Sequence, residues 1–376
     1  MRSILLFALI ALILPSALLA ESSAPKFTGP PENFAGLLST QKVLLTLKLS
    51  TGGAFTGILD FATGAHNVLR GTVNSTGFFS GTTGVNRVPY TLQITGSSPG
   101  TYLLTGSAEG KLIFAYSATY SSRQIPAELG AYNVLLASAD NGPSTPGGIG
   151  YATLTVSKGG SAKITGNLGD GTKFSAGGFI VSGTSNHQFV VYDRGIYKNP
   201  TGLFSGILTF GAVPSPAQLN PLILAGGTTT IVLGDLLWHK PAGPGDYYPL
   251  GFTTGASAQG LPFVKAAGIP FTTGTLAITG GILGSTGTTQ AFTVNTAGDV
   301  VVSLPNPGDI KLTINKNTGA VSGSFKQEVP TTPLPKLETI KFSGLLLQDG
   351  TDSEAGGYFK SPVVSGTGLY GNIILP

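Results

Sequence analysis

Residues 312–325 read LTINKNTGAVSGSF, and two readings of them lead to different proteins. In one, Asn315, Asn317 and Gly319 occupy alternating positions of a cation loop. In the other, two short strands flank a turn. Ligand count decides between them. A calcium loop of this kind needs carboxylates at alternate positions and an acidic residue near its end. Here the third position is Gly319, Lys316 adds a positive charge, and no acid follows before Glu328. Asparagine and glycine are what a tight turn requires, so the stretch reads as a hairpin.

The same period-two alternation recurs along the chain: VLLTLKL at 43–49, YTLQIT at 90–95, ATLTVS at 152–157 and IKLTIN at 310–315. Short alternating runs bounded by Gly, Asn, Ser or Thr predict antiparallel strands with one buried and one wet face. A five-residue phrase, Gly-x-[Phe/Val]-[Ser/Thr]-Gly, appears as GAFTG (53–57), GFFSG (77–81), GLFSG (202–206) and GAVSG (319–323), with partial copies at 164–166 and 342–344. Its first glycine suits a turn of positive φ, the apolar residue points to the core, and the last glycine relieves crowding where a strand bends. Each larger unit starts on a short apolar strand, FAGLL or YNVLL. Prolines in IPAELGA (125–131) and GAVPSPAQLNP (211–221) mark unit ends, because proline cannot donate to a ladder.

These features predict an all-β protein of tandem antiparallel meander modules, each barrel-like or a sandwich. The expected divisions are a signal peptide at 1–20, an N-terminal tail at 21–33, and modules at 34–124, 125–212 and 213–376. A parallel β-helix fits less well, since its repeats are much shorter than units of roughly 80 residues.

Composition narrows the function classes. The chain has 56 glycines and 25 prolines, yet it is 41% hydrophobic and so is not a disordered sequence. It contains no cysteine, which removes disulfides and thiolate metal sites. The formal charge is +4, but lysines and arginines are scattered singly, so no nucleic-acid-binding face is expected. The N-terminal MRSILLFALIALILPSALLA has a basic start, an apolar run and small residues at Ala20 and Ala24, the pattern of an export signal. Once it is removed, no membrane span is expected.

The run INKNTGAVSGSF, KFSGLLLQ and GGYFKSPVVSGTG resembles the glycine-rich repeats of large exported bacterial surface proteins. That resemblance implies a secreted or cell-surface β-repeat protein, with surface polysaccharide or another surface protein as partner. It brings no defined activity and therefore no catalytic residues.

Candidate chemistry is sparse. Gly96-Ser97-Ser98-Pro99-Gly100 has the letters of a hydrolase nucleophile elbow, but it falls between two strands where that motif needs a strand-to-helix turn. His66, His187 and His239 lie in different units without ligand spacing. Asp349, Asp352 and Glu354 cluster in QDGTDSEAGG, which reads as a solvated loop able at most to hold a weak cation site. The one local group with the makings of a ligand platform is LLWHKPAGPGDYYPLGF, where Trp238, His239, Asp246, Tyr247 and Tyr248 lie close in sequence. Aromatics beside hydrogen-bonding groups can hold sugars or peptides, but the favoured reading is that they fill the core of the third module. The sequence thus predicts a structural or binding protein, with no catalytic residue, cofactor or metal. The alternatives are an outer-membrane β-barrel and a secreted carbohydrate-active hydrolase.

Overall fold

The computed structural model describes residues 27–83, 87–140, 144–198, 201–211, 231–330, 334–348, 353–364 and 368–375. The expected signal peptide, residues 21–26 of the tail, prolines 213–221, Asp349 and Asp352 lie outside them.

Every described strand is antiparallel to its neighbours, and the strands form three eight-stranded meanders. The first comprises β1 (Glu32–Leu38), β2 (Val43–Leu49), β3 (Ala54–Phe61), β4 (His66–Thr72), β5 (Phe78–Thr83), β6 (Val88–Thr95), β7 (Leu103–Ala108) and β8 (Lys111–Ser117). Its last strand pairs back onto β1, leaving a seam between β4 and β5. Side chains staple that seam: Thr83 Oγ1 donates to Val68 O at 2.6 Å, and Tyr90 OH donates to Arg70 O at 3.0 Å.

The second meander is a fully closed barrel. Its strands are β9 (Gly130–Ser138), β10 (Gly150–Val156), β11 (Ser161–Asn167), β12 (Lys173–Val181), β13 (Gln188–Arg194), β14 (Leu203–Gly211), β15 (Ile231–Lys240) and β16 (Phe252–Pro262). The third runs through β17 (Thr273–Gly280), β18 (Thr288–Val294), β19 (Val300–Val302), β20 (Lys311–Ile314), β21 (Ala320–Val329), β22 (Lys336–Leu347), β23 (Glu354–Lys360) and β24 (Tyr370–Leu375). Strand β24 pairs with β17, and a seam lies between β19 and β20.

The all-β expectation therefore holds, with barrel-like meanders throughout. The expected boundary at 212/213 does not. It falls between β14 and β15, which pair from Leu203↔His239 to Gly211↔Ile231 inside the closed barrel. The proline signal at 213–221 thus falls between two strands that pair within one barrel and marks no domain boundary.

Side chains fill the interiors. Leu45, Leu59 and Leu92 lie inside the first barrel, Leu154, Phe189 and Trp238 inside the second, and Ile278, Phe325 and Phe359 inside the third. The opening hairpin folds as expected: Ile314 pairs with Val321, and Asn315 Oδ1 accepts the Asn317 N–H at 2.9 Å. Gly319 takes φ +71°, and Gly323 lies opposite Phe342, whose ring occupies the space a Cβ would need. Glycine under a cross-strand aromatic ring is one way a sheet gains curvature without losing cover. In GLFSG the rule changes: Gly202 is not in the positive-φ region, and a Cβ there would strike the Ile196 carbonyl.

Several strands break the alternation. Strands β1 and β9, the end of β22, the start of β14 and β23, and the middle of β13 are buried on both faces. The outer face of β1, with Ala35 and Leu37, packs on Val181 and Val190 of the second barrel. Leu135 of β9, with Ile149 and Leu261, packs on Leu345 and Leu347 of the third. Polar groups fasten both junctions. Ser205 Oγ donates to Gln41 O at 2.6 Å, Arg194 pairs with Asp60 at 3.0 Å, and Asn133 Nδ2 donates to Leu346 O at 2.8 Å.

Candidate functional site

The expected platform splits: Trp238, Tyr248 and Tyr247 stay joined through Phe252 and Tyr370 in one chain of ring contacts, while His239 and Asp246 stand apart from it. Adjacent strand residues face opposite ways, so Trp238 and His239 part at once. Trp238 is buried in the core of the second barrel, not the third. Its Nε1 donates to Tyr197 OH at 2.7 Å, and Tyr197 OH donates in turn to Asp170 Oδ2 at 2.7 Å. Burial pushes the Asp170 carboxyl above its ordinary range, against the pull of the Tyr197 and Thr172 donors. His239 points outward, with Nδ1 2.8 Å from Thr253 Oγ1. Burial and then the Lys42 charge of the first barrel hold its pKa low. Asp246 is exposed.

Tyr247 and Tyr248 turn towards the third barrel. Tyr247 OH donates to Ser361 O at 2.5 Å, Lys360 Nζ lies 4.1 Å from the Tyr247 ring centre, and Tyr248 stacks on Tyr370. Burial pushes the Tyr248 hydroxyl up to about 12. Three of the five residues thus share one aromatic cluster, packed between the core of the second barrel and the third barrel, and His239 and Asp246 lie outside it.

The histidines are also separate. His66 is exposed on β4. His187 is no lone surface side chain: its Nδ1 lies 2.6 Å from Glu128 Oε1 and 3.1 Å from Tyr120 OH. Tyr120 OH also donates to Glu128 Oε2 at 2.8 Å, tying the segment between the first two barrels to the start of β13. Ser98 sits in the β6–β7 hairpin loop, its carbonyl accepting from Thr101. Glu354 is a correction to the solvated-loop expectation. It is buried on β23 opposite Leu347, and burial raises its pKa from 4.5 to about 7. Among the described residues, no group of His, Asp and Glu is arranged to hold a metal ion.

A cleft does form at the junction of the second and third barrels, between stretches that the sequence marked as repeated strands and turns and not as a site. Its floor is the outer face of β10, β11 and β12. Cross-strand pairs make a polar ladder there: Tyr151↔Asn167, Thr153↔Thr165 and Thr155↔Lys163. The next row continues Asn167↔Lys173 and Thr165↔Ser175. One cavity of about 640 Å³ is bounded by this floor together with Thr318, Ala320 and Leu345 of the third barrel. A second, of about 410 Å³, shares Thr153 and Thr165 with it and runs on to Ser157 and Ser161. The wall at the junction is thus the turn of the hairpin at 312–325. Asn133 fixes that turn by donating to Thr318 O at 3.2 Å.

The floor carries polar side-chain heads, although carbon atoms contribute most of the exposed lining of both cavities. Thr153, Thr155, Lys163, Thr165, Lys173 and Ser175 are all exposed. Tyr151 is half-buried, its ring stacked on Tyr358 of the third barrel with centres 5.9 Å apart. The carboxylate that lines the cleft, Asp193, accepts the Ser175 N–H at 2.7 Å. Burial raises its pKa and that hydrogen bond opposes the rise. The signal that could have revealed this floor is the stretch from Tyr151 to Lys173, where every outward position of two paired strands is polar.

No known protein family matches the chain, and no curated protein matches it. Among solved structures it is similar to a tryptophan-to-alanine variant of the vaccine antigen transferrin binding protein B from Haemophilus parasuis Hp5. That similarity is at 10% identity and a TM-score of 0.24, over 93% of this chain and 77% of that one.

Proposed function

We propose that the chain is an exported binding protein of the cell surface or extracellular space. In this reading the three barrels are scaffold, and the ligand is held in the cleft between the second and third. The observation that carries the proposal is the cleft itself: an accessible polar floor on a closed barrel, walled by a turn of the next barrel. Barrels whose interiors are filled by side chains have no room for a ligand inside, so binding belongs on the outer faces. The glycine-rich repeats and the N-terminal apolar segment support export.

The two alternatives fit less well. A membrane barrel places an apolar band outside and polar groups inside. Here the described interiors are apolar, while outward positions carry Thr46, Lys48, Lys163 and Thr165. A glycosidase needs two carboxyl groups facing one bond. Among the described residues the cleft is lined by one carboxylate, Asp193, already engaged by a backbone N–H.

The test is retention of the intact purified chain on isolated envelopes of the producing cell. Thr165→Trp places a large side chain across the middle of the cleft, from an exposed strand position. The wild type is expected to be retained, and the variant to lose at least tenfold in affinity, about 1.4 kcal/mol. Equal retention of the two proteins, or no retention of the wild type, would reject the proposal.

A further inference from the structure

We infer that the cleft takes an extended acidic polysaccharide, a chain of hydroxyl-rich sugars bearing carboxylates; this rests on the binding role just proposed. Three features select that class. The first is shape. Two cavities joined along β10 and β11 make a groove open along its length, roughly 20 Å for seven strand residues. A linear chain fits this better than a compact small molecule.

The second feature is the absence of a free edge. Strand β10 pairs with β9 and β11, and β11 pairs with β10 and β12, in a barrel that closes on itself. One recurring way of holding an extended peptide is to add it as a strand to an open edge, and the cleft floor offers none. Recognition must run through side chains. The uncharged polar ones are Thr and Ser hydroxyls and the Asn167 amide, which both donate and accept hydrogen bonds, set among apolar side chains such as Ala320 and Leu345. Sugar hydroxyls do the same.

The third feature is charge. Lys163 and Lys173 stand on neighbouring strands and are both exposed. The one opposing carboxylate, Asp193, is held by the Ser175 N–H. With Lys163, Lys173 and Asp193 together, the described lining carries a net excess of one positive charge along the track. At the junction end, the half-buried ring of Tyr151 adds an aromatic surface of the kind that packs on sugar C–H groups.

The experiment is calorimetric titration of the intact chain with polygalacturonate, dextran and polyglutamate, at low and at physiological salt. The same titrations are run on Lys163→Gln/Lys173→Gln and Thr153→Val/Thr165→Val. Polygalacturonate is expected to bind at least tenfold more tightly than either other polymer, with affinity falling as salt rises. The lysine variant should lose about tenfold and most of the salt dependence, and the threonine variant should lose affinity without losing salt dependence. Equal binding of polyglutamate would reduce the effect to charge attraction and overturn the inference. Equal binding of dextran, or unchanged binding by both variants, would overturn it as well. If no polymer binds while Thr165→Trp still abolishes envelope retention, the ligand class is wrong and the binding role stands.

Discussion

Asn133 shows how much of this molecule rests on single polar contacts. It is buried on β9, and its amide donates to two carbonyls of the third barrel, Thr318 O and Leu346 O. Replacing it by leucine leaves both carbonyls without that donor inside the junction. Asn133→Leu is therefore expected to cost about 1–3 kcal/mol, the range for a buried polar group left unpaired. Denaturant unfolding followed by the fluorescence of Trp238, the sole tryptophan, measures it. A change below about 0.5 kcal/mol would place the junction's stability elsewhere. Nothing in YNVLL marks Asn133 as a fastener beyond its being the polar residue of an apolar run. Trp238 is illegible in a different way. Its hydrogen-bond partner, Tyr197, lies 41 residues earlier, while its sequence neighbours point to other surroundings.

Elements were more legible than contacts. LTINKNTGAVSGSF, VLLTLKL and ATLTVS fold as the strands their alternation predicts, because period two fixes which residues face the core. Departures from alternation carried information as well. FAGLL, YNVLL and the GLLL of 344–347 are near-continuous apolar runs, which belong to strands covered on both faces. They are the strands against which neighbouring barrels dock. The proline-rich stretch misled because proline marks interrupted pairing equally well between domains and between two strands of one barrel.

Glu354 makes the junction element sensitive to pH. It shares the outward face of β23 with Tyr358, opposite Leu347 of the apolar junction cluster. Below pH 4.5 the carboxyl is protonated whether the chain is folded or not. Between 4.5 and about 7 the unfolded chain releases the proton and the folded chain keeps it, so stability falls as pH rises. Above about 7 the loss is complete, at roughly 3 kcal/mol for a shift of this size. The buried carboxyl of Asp170 acts with the same sign. Midpoints of denaturation between pH 4.5 and 8 should decline in the wild type and decline much less in Glu354→Gln. Parallel pH profiles for the two proteins would show that Glu354 does not carry the effect.

At the scale of the whole molecule, three filled barrels are joined side to side, and the open space that remains at the second junction is the cleft. Its floor comes from the closed barrel, and its wall from the hairpin that the sequence most readily identified as a repeated turn. The composition and repeats were enough for the all-β meander class. The cleft was not legible, because it depends on which outward faces the junctions cover and which they leave open. That outcome is set by contacts between residues more than 150 positions apart, such as Asn133 with Thr318.

The most direct measurement is amide hydrogen exchange across the intact chain, with and without saturating polygalacturonate. Added protection is expected in β10–β12 and in the 315–320 turn, with unchanged exchange in the first barrel. Protection centred on the first barrel, or no change at the β10–β12 face, would rule out polysaccharide binding in the cleft.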